Sequence, residues 1–139
     1  MDYSVSWLIE NEVVLMVLNS DIELTTGVQM LQDVATLMES SSHEKVHVIA
    51  DASKTTSRMH NINETMQTFR GNRSPKWGFT VIIGGGGFTQ LIAQIIFQIS
   101  RIEVRFAKNQ STALEILYRI APDLIGKPLT QSIEESSNK

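Results

Sequence analysis

The sequence predicts an α/β domain, a five-stranded mixed sheet in which an N-terminal antiparallel hairpin is followed by parallel strands joined through about four helices. Two observations carry this. Residues 77–100, WGFTVIIGGGGFTQLIAQIIFQIS, hold no charged residue and read as a strand (79–83, apolar and β-branched), a run of four glycines (Gly84, Gly85, Gly86 and Gly87) and an apolar helix. A strand feeding a helix that folds back on the sheet is half of a crossover between parallel strands. The second observation lies at the start of the chain, where two apolar runs are separated only by Glu10-Asn11-Glu12, the spacing of a hairpin.

Within that hairpin, residues 3–10 alternate loosely, with Tyr3, Val5, Trp7 and Ile9 against Ser4, Ser6 and Glu10, while residues 13–18 are almost wholly apolar. The first strand is therefore expected toward a sheet edge and the second inside, with Trp7 as a packing residue. Thr26-Gly27-Val28-Gln29 matches a capping box, so a helix is expected from there to about Glu39, burying Val28, Leu31, Val34, Ala35 and Met38. Residues 46–50 form the third strand, closed by Asp51. His47 lies within it, but His43 falls in the preceding loop, so the pair lacks the helical spacing that would converge on a metal; His47 is expected at an edge or side-facing position.

A polar loop through Ser53, Thr55, Thr56 and Ser57 leads to a helix near residues 63–70, with Ile62, Met66 and Phe69 as its stripe and Asn61 or Asn63 as its cap. After the central stretch, Ile102, Val104 and Phe106 alternate with Glu103 and Arg105, a half-exposed edge strand. Ser111 is the expected cap of the last helix, 112–120, which Pro122 stops. Residues 1–125 thus form one domain, and 126–139 a polar tail expected to be disordered.

The chain has 139 residues, enough for a core without staples, and no cysteine, which removes disulfides, thiolate catalysis and cysteine-held metals. Its net charge of −3 provides no global field for nucleic acid; the local basic segment Arg70, Arg73, Lys76 reads as a solvated loop. Four glycines and three glutamines argue against a membrane span in the central stretch. The N-terminus is polar and acidic rather than a basic-apolar leader, so the cytoplasm is the expected compartment.

In the central helix, Phe88, Leu91, Ile92, Ile95, Ile96 and Ile99 define the expected core stripe. The opposite face, Gln90, Ala93, Gln94, Phe97 and Gln98, carries no charge and is expected to be covered, either by a second copy of the chain or by another part of the same one.

The succession of elements, the strand VHVIADAS, the run WGFTVIIGG followed by a helix, and the closing segment IEVRFAKNQSTALEIL resemble the STAS domains of bacterial anti-sigma-factor antagonists over residues 3–121. The resemblance implies a regulatory or protein-interaction module without enzymatic activity or cofactor. Members of that family carry a phosphorylatable serine where the helix after the third strand opens. The corresponding place here is Met59-His60-Asn61, and Ser53, Thr55, Thr56 and Ser57 lie in the loop before it, so the implied phosphorylation switch lacks its residue.

In a parallel sheet, ligands bind beyond the carboxyl ends of the strands. That rule gathers Asp21 and Glu23, Asp51 and Ser53, Gly84 to Gly87, and Lys108 with Asn109. The glycine run either admits an anion to free helix amides or is a turn for close packing; it lacks the Walker lysine and the spaced dinucleotide glycines. Asp51 with Lys108 also fits a phosphoacceptor site, but the leading hairpin does not suit a receiver domain. A hydrolytic enzyme would have to draw its base from His43, His47 and His60, with no nucleophile elbow beside them. The leading expectation is a homodimeric interaction module; the alternative is a sensor of an anionic or lipid-like ligand held at Asp51, Ser53, Gly84, Gly85, Gly86, Gly87 and Lys108, or in the apolar interior. No metal site is expected.

Overall fold

Strands β1 (Tyr3–Ile9) and β2 (Val13–Leu18) pair antiparallel, Tyr3 opposite Leu18 and Trp7 opposite Val14. Asn11 closes their turn in the left-handed region (φ 67°), which asparagine tolerates better than most residues. The structure, a computed structural model, describes residues 2–55, 62–84, 93, 97–98 and 100–133. Helix α1 (Leu24–Glu39) then leads to β3 (Val46–Ala52), α2 (Ile62–Asn72) to β4 (Trp77–Gly84), and β5 (Val104–Ala107) to α3 (Gln110–Ile120) and a 3-10 turn (Pro122–Leu124).

The strands lie in the order β1-β2-β3-β4-β5, and β2 to β5 are parallel. This is the α/β class and mixed five-stranded sheet that the hydrophobic pattern predicts. β1 lies at one edge and β5 at the other; β4, buried except at its two glycines, lies inside.

Sequential strand order fixes where the helices go. Each right-handed crossover steps in the same direction and leaves its helix on the same face. Accordingly α1, α2, Ala93 and Phe97 share one core layer with Val14, Met16, Val46, Val48, Trp77 and Ile82. The opposite layer gathers Leu8, Val13, Leu15, Ile49, Phe79, Val81 and Ile83 under Ala113, Leu114 and Leu117 of α3 and Leu124.

Three local expectations are corrected. Helix α1 starts two residues before Thr26: its cap is Glu23, extended and without a side-chain cap bond, and Gly27 N–H donates to Glu23 O at 2.8 Å. Gln29 bonds Asp33 within the helix instead of reaching back to a cap. Helix α3 is capped by Asn109 rather than Ser111, its side chain accepting from Thr112 N–H at 2.8 Å.

The segment after the 3-10 turn follows β1. Thr130 N–H donates to Leu8 O at 2.8 Å and its hydroxyl to Trp7 O; Gln131 donates to Ser6 Oγ and Trp7 O, each at 2.8 Å. Lys127 pairs with Glu12 of the hairpin, and Ile133 packs on the α3-side core. The pairing slips between Trp7 and Ile9 of β1, and the tail bonds the carbonyls at that irregularity. Residues 126–133 therefore extend the domain, although composition groups them with the tail; 134–139 lie outside the described residues.

Candidate functional site

The site begins with a register shift. Val46 of β3 pairs with Trp77 of β4, but Val48 pairs with Thr80, so Gly78 and Phe79 together oppose His47. Such a bulge leaves a backbone amide without a ladder partner. Here the imidazole supplies one: Phe79 N–H donates to His47 Nδ1 at 3.1 Å. Gly78 makes the approach possible, since a Cβ there would stand 3.1 Å from both that nitrogen and Val46 O. His47 therefore sits in an interior strand rather than at an edge. Burial lowers its pKa, against partly opposing charges on Asp123 and Glu12.

The bulge also changes which way β4 presents its side chains. Phe79, Val81 and Ile83 face α3, whereas Trp77 faces α1 and α2 with Ile82. Strict alternation would have put Trp77 with Phe79. Its indole N–H donates to Thr80 Oγ1 at 2.8 Å, satisfying a buried polar atom on the same face.

Trp77 thereby becomes one wall of an apolar cavity of about 270 Å3, near the lower end of small-molecule pockets, which run from about 300 Å3 upward. Its floor includes Met16; α1 supplies Gly27, Met30 and Leu31; α2 supplies Phe69. Phe69 packs edge-on to Trp77 (centroids 5.1 Å apart) and to Phe97 (5.0 Å), so three aromatic rings are braced together. Glu23, Thr65 and Thr68 also line it. A glycine within a strand and another in a helical first turn are the sequence signals for this cavity, Gly78 marking the bulge and Gly27 the thin place in the wall.

Phe97 and Ala93 are interior, 8% and 9% exposed, so of the two covers expected for this face the one found at these positions is the same chain. The described residues put positions 93 and 97 on the sheet side, in the layer shared with α1 and α2. Gln98 is exposed; Gln90, Gln94 and the stripe from Phe88 to Ile99 lie outside the described residues.

At the carboxyl ends of the strands, Asp51 is 4% exposed and both its oxygens are occupied. Oδ1 accepts from Ser53 N–H (3.0 Å) and Ser53 Oγ (2.6 Å), and Oδ2 accepts from Gln110 Nε2 (2.7 Å). It ties β3 to the start of α3. Gly84 has φ 69°, and a Cβ there would approach Ser53 Cα to 2.6 Å, so this glycine is required for close backbone approach. Gly85, Gly86 and Gly87 lie outside the described residues, and Lys108 is exposed. The structure thus brings Asp51, Ser53 and Gly84 together. Because β2 to β5 follow one another in sequence order, they contain no reversal of the kind that opens a crevice.

Among the described residues no group of three or more His, Asp and Glu side chains is placed to hold a metal ion, and no helix is long and apolar enough to cross a membrane. Comparison with known protein families finds no family model that matches the chain, and comparison with curated proteins finds no match either.

Proposed function

We propose that the chain is a STAS-like, non-enzymatic binding module that senses a compact apolar or lipid-like molecule held between α1 and α2. The cavity beside Trp77 is the observation that carries this reading. Its lining of methionine, leucine and edge-packed aromatic rings suits a short acyl chain or a small ring system, and methionine adapts to irregular shapes. The order of elements supports the STAS likeness, and the missing phosphoserine motif leaves ligand binding as the switch. Anion capture at Gly84 has less support, because Ser53 already accounts for that glycine. Dimerisation through Ala93 and Phe97 also loses its basis, since both are interior.

Each methylene moved from water into such a cavity is worth about 0.8 kcal/mol, about fourfold in affinity. The test is a titration with saturated fatty acids of increasing length, read by Trp77 fluorescence in a Trp7→Phe background. Affinity should climb about fourfold per methylene until the cavity is full and then level off. A Trp77 signal that never changes, or affinity that climbs without limit as it does for partition onto surfaces, would overturn the reading.

A further inference from the structure

At the opposite ends of the same strands, three cations from three separate segments meet around one groove. Lys45 precedes β3, Arg73 follows α2, and Arg101 precedes β5; with His47, Trp77, Phe79 and Ser100 they line a space of about 510 Å3. The sequence presents Arg73 only as part of a basic loop with Arg70 and Lys76, and the fold gives it different companions.

We propose that this groove is an oxyanion site that takes the phosphate of a phosphomonoester. The proposal is independent of the apolar cavity, although Trp77 borders both.

Three features carry it. The first is uncompensated charge: among the described residues neither Arg73 nor Arg101 has a carboxylate partner, and Lys45 Nζ donates only to a carbonyl, that of Pro75, at 3.0 Å. The acid in the lining, Glu103, is already bound by Arg105 at 2.8 Å. Arginine presents a planar fork of donors that matches phosphate geometry.

The second is Ser100, whose hydroxyl is buried and has no hydrogen-bond partner among the described residues. Buried polar atoms are nearly always satisfied, and rotation of this side chain toward the basic groove it borders would give its hydroxyl an anionic oxygen as partner.

The third is the backbone of Arg101. Arg101 N–H donates to Gln98 O (3.1 Å) and Ile102 N–H to Phe97 O (2.9 Å), with Arg101 at φ 60°. These two bonds form a Schellman turn, whose left-handed position is normally glycine. Ile102 and Phe97 share the core layer, which supplies the hydrophobic contact typical of that turn. Arginine therefore stands where it costs backbone strain, and such strain is characteristic of positions held for function. Its charge also complements the carbonyl end of a helix, so the decisive question is whether losing the side chain costs stability or binding.

Arg101→Gly separates the two. The full chain is titrated by calorimetry with inorganic phosphate and glycerol phosphate, against chloride at equal ionic strength, and by flotation with phosphatidylcholine vesicles with and without phosphatidic acid. The wild type should bind phosphate in preference to chloride. Arg101→Gly should raise Tm yet weaken phosphate binding at least tenfold, and Lys45→Ala and Arg73→Ala should each weaken it comparably. Binding of soluble phosphomonoesters identifies a free metabolite as the source, and binding confined to phosphatidic acid vesicles a lipid headgroup; either supports the site. No phosphate-specific binding in any arm, or affinity unchanged in Arg101→Gly and Arg73→Ala, overturns it.

Discussion

The imidazole of His47 accepts the backbone N–H of Phe79 at 3.1 Å, a side chain of one interior strand completing the ladder of its neighbour. This requires a neutral ring with an unprotonated Nδ1, and burial already disfavours the charged form. The folded pKa lies below the unfolded value of about 6.5, so below that pH the unfolded chain binds more protons and stability rises with pH. The contribution is complete above about pH 6.5 and is lost as pH falls toward the folded pKa. His47→Asn, whose Oδ1 replaces Nδ1 as acceptor, should flatten the pH dependence of the urea midpoint between about pH 7 and 5. A variant that retains the full wild-type slope would show that other groups govern it.

Removing the acceptor altogether is a different experiment. His47→Ala leaves the Phe79 amide without its partner within the sheet and should cost about 1 to 3 kcal/mol. Because the same bulge turns Trp77 toward α1, the loss should also appear as a changed Trp77 emission in a Trp7→Phe background. Destabilisation with unchanged emission would mean that the bulge persists without the imidazole.

How far this arrangement can be read from the sequence differs between its parts. A run such as 79–83, apolar on both faces, has few places to go except the middle of a covered sheet, and β1, half polar, belongs at an edge. The phase of the central helix was not legible in the same way. Ala93 and Phe97 are as apolar as the stripe assigned to the core, so periodicity alone offers two faces and only the tertiary contact with Phe69 selects one. The capping box at Thr26 failed because Gly27 N–H finds Glu23 O and the helix gains a turn. Asp51 and Gly84, offered by the sequence as ligand-site candidates, lie in one structural joint with Ser53 and Gln110. A strand-end aspartate looks the same in sequence whether it holds a ligand or a neighbouring helix.

That joint makes its own prediction. Asp51→Ala strips the partner from Gln110 Nε2, itself 4% exposed, and from both donors of Ser53. Hydrogen bonds to a charged acceptor are worth about 1.5 to 3 kcal/mol, so the variant should lose at least about 2 kcal/mol in chemical denaturation. If Asp51 were instead a ligand-binding carboxylate with spare capacity, the variant would unfold at the wild-type midpoint.

Gly84→Ala acts on the same joint through the backbone. The left-handed φ costs a side chain about 1 to 2 kcal/mol, and the new Cβ would stand 2.6 Å from Ser53 Cα. The variant should therefore lose more than about 2 kcal/mol, as a fall in denaturant midpoint without a change in slope. A loss confined to the φ penalty would mean that the Ser53 turn yields to the new methyl group.

Gly27 offers the cleanest separation of stability from binding. It lies in the first turn of α1 and lines the cavity, and a Cβ there would meet only Ile22 Cδ1, at an ordinary 3.9 Å. Gly27→Ala should consequently stabilise the fold by about 0.5 to 1 kcal/mol, since alanine loses less backbone entropy in a helix. Gly27→Phe projects a ring into the space that an apolar ligand would occupy. It should abolish the chain-length-dependent fatty acid response of Trp77, whereas Gly27→Ala trims the cavity and shortens the best-fitting chain by about one methylene. The two substitutions share a position and differ in volume, so a graded loss of binding against a stable fold ties the ligand to this cavity. Equal binding by wild type and Gly27→Phe would place the ligand elsewhere on the molecule.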